Sequence, residues 1–211
     1  ETLGLWKTDA VSHRIRSINP HARLTVERDG VNGENAGRLL KGVDVVVDSI
    51  EFYELEARRS LFAEAEKLGI PVVTAAPIGF GINMLVFRPG GMPFERYFDF
   101  AGCRTKAERL ANFALGLSPG LNGFRDLDLS KVSASGASHA PSLDLAASLA
   151  SGIVAATVLR LLEDPQEVPA APHHFAFNAK HWKLTRGCLR WGNRGPWQRL
   201  RRRILLSRVG R

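Results

Sequence analysis

The sequence predicts an α/β fold, a mostly parallel sheet with helices on its faces, followed by a helical or irregular C-terminal extension with a basic tail. Three adjoining segments predict it. In residues 43–51, Val45, Val46 and Val47 form a β-branched run without alternation, as in a strand covered on both faces, and the run ends in Asp48 and Glu51. In residues 54–68, Leu55, Leu61, Phe62, Ala65 and Leu68 share one side of a helix that Gly69 ends. The apolar run Pro71-Val-Val-Thr-Ala follows at once. A strand, a helix and a second strand in that order predict a right-handed crossover and parallel pairing.

The other elements follow in chain order. Residues 8–18 place Val11, Ile15 and Ile18 at helical spacing, and Asn19-Pro20 stops them. Residues 23–28 alternate as a short strand, and residues 34–41 read as a brief helix closed by Gly42. Residues 82–87 form a further strand, closed by Pro89-Gly-Gly. Residues 105–115 are helical and 118–141 loop-rich; Pro141 or Ser142 then opens a long Ala/Leu helix over 142–162. That helix approaches bilayer-spanning length, but Asp144, Ser148, Ser151 and Arg160 interrupt it, so a buried helix is expected and not a membrane span. Residues 165–172 read as a linker. The expected division is 1–100 for a partial α/β domain, 101–165 for its continuation with the long helix, and 166–211 for the extension with the basic tail.

Composition narrows the function classes. With 211 residues, 45% of them hydrophobic and 24% charged, the chain is globular and not disordered. Cys103 and Cys188 stand apart, which fits neither a disulfide framework nor a four-cysteine zinc site and agrees with a cytoplasmic setting. The net charge of +8 belongs to the tail: from Lys180 onward there are eleven Lys and Arg and no acid, and the preceding part has 18 bases against 21 acids. A basic helix after Pro196 is expected, able to pack on the domain or to meet an anionic membrane, RNA or an acidic partner. No RNA-binding motif accompanies it, so nucleic acid is not the expected partner.

The ordered motifs resemble the ThiF/MoeB and ubiquitin-activating family of adenylating enzymes. Gly4 and Lys7, followed by Ile18-Asn19-Pro20, resemble its G-x-x-K…I-N-P pattern; Asp48-Ser-Ile-Glu51 resembles its D-x-x-D, with Glu in the second place. Ala75-Ala-Pro-Ile-Gly-Phe-Gly81 resembles its glycine-bearing segment before an apolar strand. The resemblance implies a Rossmann-like sheet that begins after the family's glycine-rich nucleotide loop, so the chain is expected to be an N-terminally truncated form that binds ATP poorly alone. It implies that Lys7, with Gly4, binds the ATP phosphates, that Glu51 and Asp48 hold Mg²⁺, and that Asp48 supports catalysis or the turn. Gly79 and Gly81 would lie near the glycine tail of a ubiquitin-like or sulfur-carrier protein. It further implies a homodimer. The family's zinc-binding CxxC has no counterpart at Pro93-Phe-Glu-Arg-Tyr-Phe98, so no zinc is expected, and none of the six histidines restores a site. The alternatives are a non-catalytic scaffold of the same family and, from another class, an NAD-dependent oxidoreductase.

Implied sheet order 3-2-1-4-5 makes residues 23–27 the third strand and 43–48 the fourth, separated by a gap of two strand spacings and not paired.

Overall fold

The computed structural model describes residues 3–120 and 143–209. Helix α1 (Lys7–Ile18) runs to Asn19 as its spacing predicts, yet it buries no residue, and Ile18 is 77% exposed. Residues 23–27 form no strand. Their alternation was a real pattern without a partner: no neighbouring strand among the described residues offers hydrogen bonds, and an isolated strand cannot persist in water. Ion pairs hold this segment instead. Arg28 Nη2 donates to both oxygens of Asp9 at 3.0 and 2.9 Å, and Arg38 pairs with Glu27. Helix α2 (Ala36–Leu39) is a single turn.

The sheet then begins. Strand β1 (Val46–Asp48) is shorter and more one-sided than expected, with Val46 and Asp48 buried and Val47 half exposed. Helix α3 (Leu55–Leu68) follows and ends at Gly69 with φ 71°. Strand β2 (Val72–Ile78) pairs parallel to β1, Asp48 opposite Thr74. A two-residue turn, Gly79-Phe80, reverses the chain into β3 (Gly81–Phe87); the positive φ of Gly79, 57°, is what such a turn requires at its first position. The other edge of β1 carries no strand among the described residues, and residues 23–27 do not pair with it.

Helix α4 (Phe94–Phe98) and helix α5 (Lys106–Leu117) complete the body. Thr105 caps α5 with a full capping box: its hydroxyl accepts from Glu108 N, and the Glu108 carboxylate accepts from Thr105 N. Between α3, β3, α4 and α5 lies an aromatic core of Phe62, Phe87, Phe94, Tyr97, Phe98, Phe100 and Phe113, all buried, with Phe62 and Phe94 stacked 4.0 Å apart. Burial pushes the Tyr97 phenol well above its ordinary value, and its hydroxyl donates to Gly116 O.

Pro141 and Ser142, expected to open the long helix, lie outside the described residues, as does most of the expected loop. Helix α6 (Asp144–Glu163) is long and apolar enough to cross a membrane by length and composition, and in this fold it lies across β2 and β3. It is not the buried helix expected. Ala146, Ala150, Thr157 and Leu161 face the sheet, while Leu159 and Leu162 are exposed. Small residues let it approach closely along one stripe only. Residues 165–172 are not a linker either: Val168, Ala170 and Ala171 are buried, and Ala171 exchanges backbone bonds with Val86 and Met92.

The extension continues the sheet. Strands β4 (His173–Asn178) and β5 (Lys183–Cys188) form a hairpin antiparallel to β3, giving the order β1-β2-β3-β4-β5 with one parallel and three antiparallel pairs. The fold is thus α/β with a mixed five-stranded sheet and flanking helices. Gly81 lies against β4 so closely that a Cβ there would stand 2.3 Å from Phe177 O. Helix α7 (Pro196–Val209) ends the described chain and packs on α5.

Candidate functional site

Lys7 opens α1, and Glu51 stands three residues beyond the carboxyl end of β1. The fold brings them together: Lys7 Nζ lies 3.8 Å from Glu51 Oε1, with 90% and 45% of the two side chains exposed. An ion pair so open to water contributes little to stability. Its placement is the notable property, because open α/β sheets take ligands at the carboxyl ends of their strands.

Beside the pair an open cleft of about 600 Å³ is lined by Gly4, Trp6, Lys7, Thr8, Glu27 and Arg28, among others. Lys7 and Arg28 bring positive charge to it. Helix α1 starts after Trp6 without a side-chain cap, so the positive end of its dipole meets the cleft with no side chain bonded to its first amides. The Thr8 hydroxyl in the same turn is buried without a hydrogen-bond partner. An anionic oxygen near this turn would offer that hydroxyl an acceptor and Lys7 a counter-charge. Across the cleft, Arg38 holds the Glu27 carboxyl below its ordinary value, so Glu27 stays ionised.

Glu51 is positioned by an arrangement not visible in its own motif. Asp48 is buried, and its carboxylate is fully engaged: Oδ1 accepts from Ile50 N at 3.0 Å, and Oδ2 accepts from Arg58 Nε at 2.7 Å and Thr74 Oγ1 at 2.8 Å. Arg58 also donates to the carbonyls of Ile50 and Glu51, and its guanidinium lies 4.6 Å over the Phe113 ring. Asp48 therefore holds Arg58, and Arg58 holds the turn that presents Glu51. One sequence signal could have revealed this residue. Arg58 falls on the apolar side of α3 with Leu55, Phe62 and Ala65, where a charge needs a buried partner.

Gly4 lies in the cleft with Lys7, at φ 89°. Gly79 and Gly81 sit in the β2–β3 turn at the same end of the sheet as Glu51, since β2 runs parallel to β1 and extends four residues past the Asp48–Thr74 pair. Each has a local reason to be glycine: Gly79 the turn, Gly81 the closeness of β4. Glu51 and Asp48 carry carboxylate oxygens of the kind magnesium takes, and those of Asp48 are engaged with Ile50 N, Arg58 and Thr74.

No group of three or more His, Cys, Asp or Glu suited to a metal occurs among the described residues. Burial pushes the Cys103 thiol up; its Sγ accepts from Asn112 Nδ2 and donates to Asp99 O. Such a thiol is less nucleophilic than an ordinary one at neutral pH. Cys188 is exposed at the end of β5.

The chain is similar to known proteins in sequence and in fold. Residues 1–192 match the ThiF family. The tRNA threonylcarbamoyladenosine dehydratase of Escherichia coli strain K12 is 32% identical over 84 residues, covering 39% of this chain and 31% of that protein. The sulfur carrier protein ThiS adenylyltransferase of the same strain is 28% identical over 90 residues, covering 43% and 34%. Among solved structures, E. coli MccB with ATP superposes with a TM-score of 0.57 at 13% identity, covering 88% of this chain and 48% of that one. The selenomethionine form of PaaA gives 0.53 at 15% identity, with the same coverage. The aligned part thus spans about a third of the curated relatives and about half of the solved neighbours.

Proposed function

This chain belongs to the ThiF family, and from that premise we propose that it supplies the phosphate side of an ATP-dependent adenylating site. The observation that carries the reading is the Lys7–Glu51 pair, a cation and a carboxylate held together at the carboxyl end of β1, beside an open helix start.

The reaction is adenylation of a carrier's C-terminal carboxylate. A carboxylate oxygen forms a bond to the α-phosphorus of ATP, the bond from that phosphorus to the bridging oxygen breaks, and pyrophosphate leaves with the electron pair. Lys7 neutralises charge on the phosphate oxygens as pyrophosphate departs. Glu51, with the β1 end, would hold a magnesium ion, which when bound screens the phosphate charges. Asp48 and Arg58 are positioning residues that hold Glu51 in place. The turn at Gly79 and Gly81 lies at the same end of the sheet, where a narrow glycine tail could approach. The sequence contains no glycine-rich G-x-G-x-x-G loop, and the proposal therefore covers the phosphate side of the site alone.

The partner in this reading is a ubiquitin-like or sulfur-carrier protein, or a peptide with a free C-terminal carboxylate, and the setting a cytoplasmic homodimer. Support comes from the adenylyltransferase activity named for the ThiS relative and from the ATP in the MccB structure.

ATP–pyrophosphate exchange with the carrier tests it, in the protein that carries the loop. Lys7→Ala should lower exchange on the order of 100-fold or more, the usual effect of losing one such contact to developing charge, and leave the melting temperature unchanged. Exchange equal to wild type would remove Lys7 from the chemistry and sink the proposal.

A further inference from the structure

Helix α7 lies beyond the residues that match the ThiF family, which end at 192, and the adenylation reading makes no use of it. It lies within a segment rich in positive charge: eleven Lys and Arg and no acid from Lys180 to the C-terminus. Its first turn is tied firmly to the body. Gln198 is buried and donates to Leu115 O and Asn193 Oδ1, and Arg201 donates to Pro119 O and Gln198 Oε1. Arg202 turns inward near Cys103 and Glu108.

The opposite face shows a different composition. Trp197, Leu200 and Ile204, at spacings of three and four, form one apolar stripe and are 73%, 47% and 45% exposed. On the helix circumference Arg199 and Arg203, both exposed, lie along one side of that stripe, and Arg201 lies on the other. Just before the helix, Trp191 is exposed as well. A Trp–Leu–Ile stripe bordered by arginines is the composition of a helix that lies in the plane of a membrane interface. Leu200 and Ile204 offer no ring on which a base could stack, so the pattern is poor for single-stranded RNA.

We propose that α7 docks the protein on the surface of an anionic lipid membrane, with Trp197, Leu200 and Ile204 entering the headgroup–acyl boundary and Arg199 and Arg203 meeting acidic headgroups. The inner face keeps its bonds to α5 throughout, so docking needs no unfolding.

Co-sedimentation of the 211-residue chain with vesicles tests this, using phosphatidylcholine alone and an equimolar mixture with phosphatidylglycerol. The wild type should bind the anionic vesicles and not the neutral ones. Arg199→Ala with Arg203→Ala should weaken binding roughly 30-fold, about fivefold for each arginine near such a surface. Leu200→Ser with Ile204→Ser should weaken it by about tenfold or more through lost apolar insertion; both residues are exposed, so the melting curve should not move. Trp197→Phe should keep binding and abolish the blue shift in tryptophan emission that wild-type protein shows on anionic vesicles. Equal binding to neutral vesicles, or none to anionic ones, overturns the proposal. So does tighter binding to single-stranded RNA than to vesicles, or Leu200 and Ile204 variants that alter only self-association without lipid.

Discussion

Helices α1 and α3 have the same kind of apolar spacing and different fates. Val11, Ile15 and Ile18 of α1 are all exposed, whereas Leu55, Leu61, Phe62 and Ala65 of α3 are buried. The difference extends to their surroundings. Residues up to about Gly30 are held by ion pairs at the surface, and those from α3 through α5 close around seven buried aromatic rings. Apolar spacing states which face can be covered; only the fold states whether it is. Here the region carrying the candidate chemistry is separate from the region carrying the stability, and one buried arginine, Arg58, joins them.

The largest expected effect tests the aromatic side of that division. Phe98 is fully buried against Phe94, Tyr97, Phe100 and Phe113. Phe98→Ala should cost about 3–5 kcal/mol in denaturant unfolding; a loss comparable to a surface change would show that the rings are not the core. Next comes the joint between the regions. Arg58→Met removes one partner of a buried ion pair, 4% and 0% exposed, and should cost about 3 kcal/mol or more. Unlike Lys7→Ala, it should lower both stability and exchange activity. An Arg58 variant that lost activity at full stability would place Arg58 among the groups touching substrate.

The hairpin supplies a pH test of intermediate size. Burial, and then the neighbouring His173, lowers the His174 pKa from 6.5. The unfolded chain therefore takes up a proton near pH 6.5 that the folded chain resists, so stability falls as pH drops through and below that value. Melting temperatures across this range should show the fall, and His174→Phe should flatten it; an unchanged slope would assign the fall to other groups. The smallest effect belongs to the surface. Arg28→Ala breaks an exposed pair with Asp9 and should cost under about 1 kcal/mol, with a dependence on salt. A larger loss would mean that the N-terminal region is anchored more firmly than its exposure implies.

Helices α1, α3 and α5, and strands β2 and β3, were legible because each is bounded by residues that act locally: Asn19-Pro20, Gly69, the Thr105 capping box and Pro89-Gly-Gly. The β4–β5 hairpin was not. Its strands are half-buried or exposed along nearly their whole length, so no alternation marks them, and the connection includes Trp182 at positive φ, a residue that announces no turn. Residues 23–27 failed the opposite way, with alternation but no neighbour to pair with. At the site, Lys7 and Glu51 could be picked from motifs, but their 3.8 Å meeting depends on a turn fixed by Arg58, a contact across seven residues that only the packing of α3 beneath β1 creates.

Helix α7 is built like a cantilever. At its root the amide side chains of Asn193 and Gln198 form a buried relay: Asn193 Nδ2 donates to the backbone carbonyls of Phe98 and Asn112, and Gln198 Nε2 donates to Asn193 Oδ1. Detaching the root would strand several polar groups in an apolar interior, while the last turns past Ile204 have no such fastening among the described contacts. Backbone amides near Gln198 should therefore exchange with deuterated solvent as slowly as those of α5, and amides toward Val209 far faster. Load applied at the tip, by whatever surface it meets, would be carried back through two side-chain amides into the aromatic core.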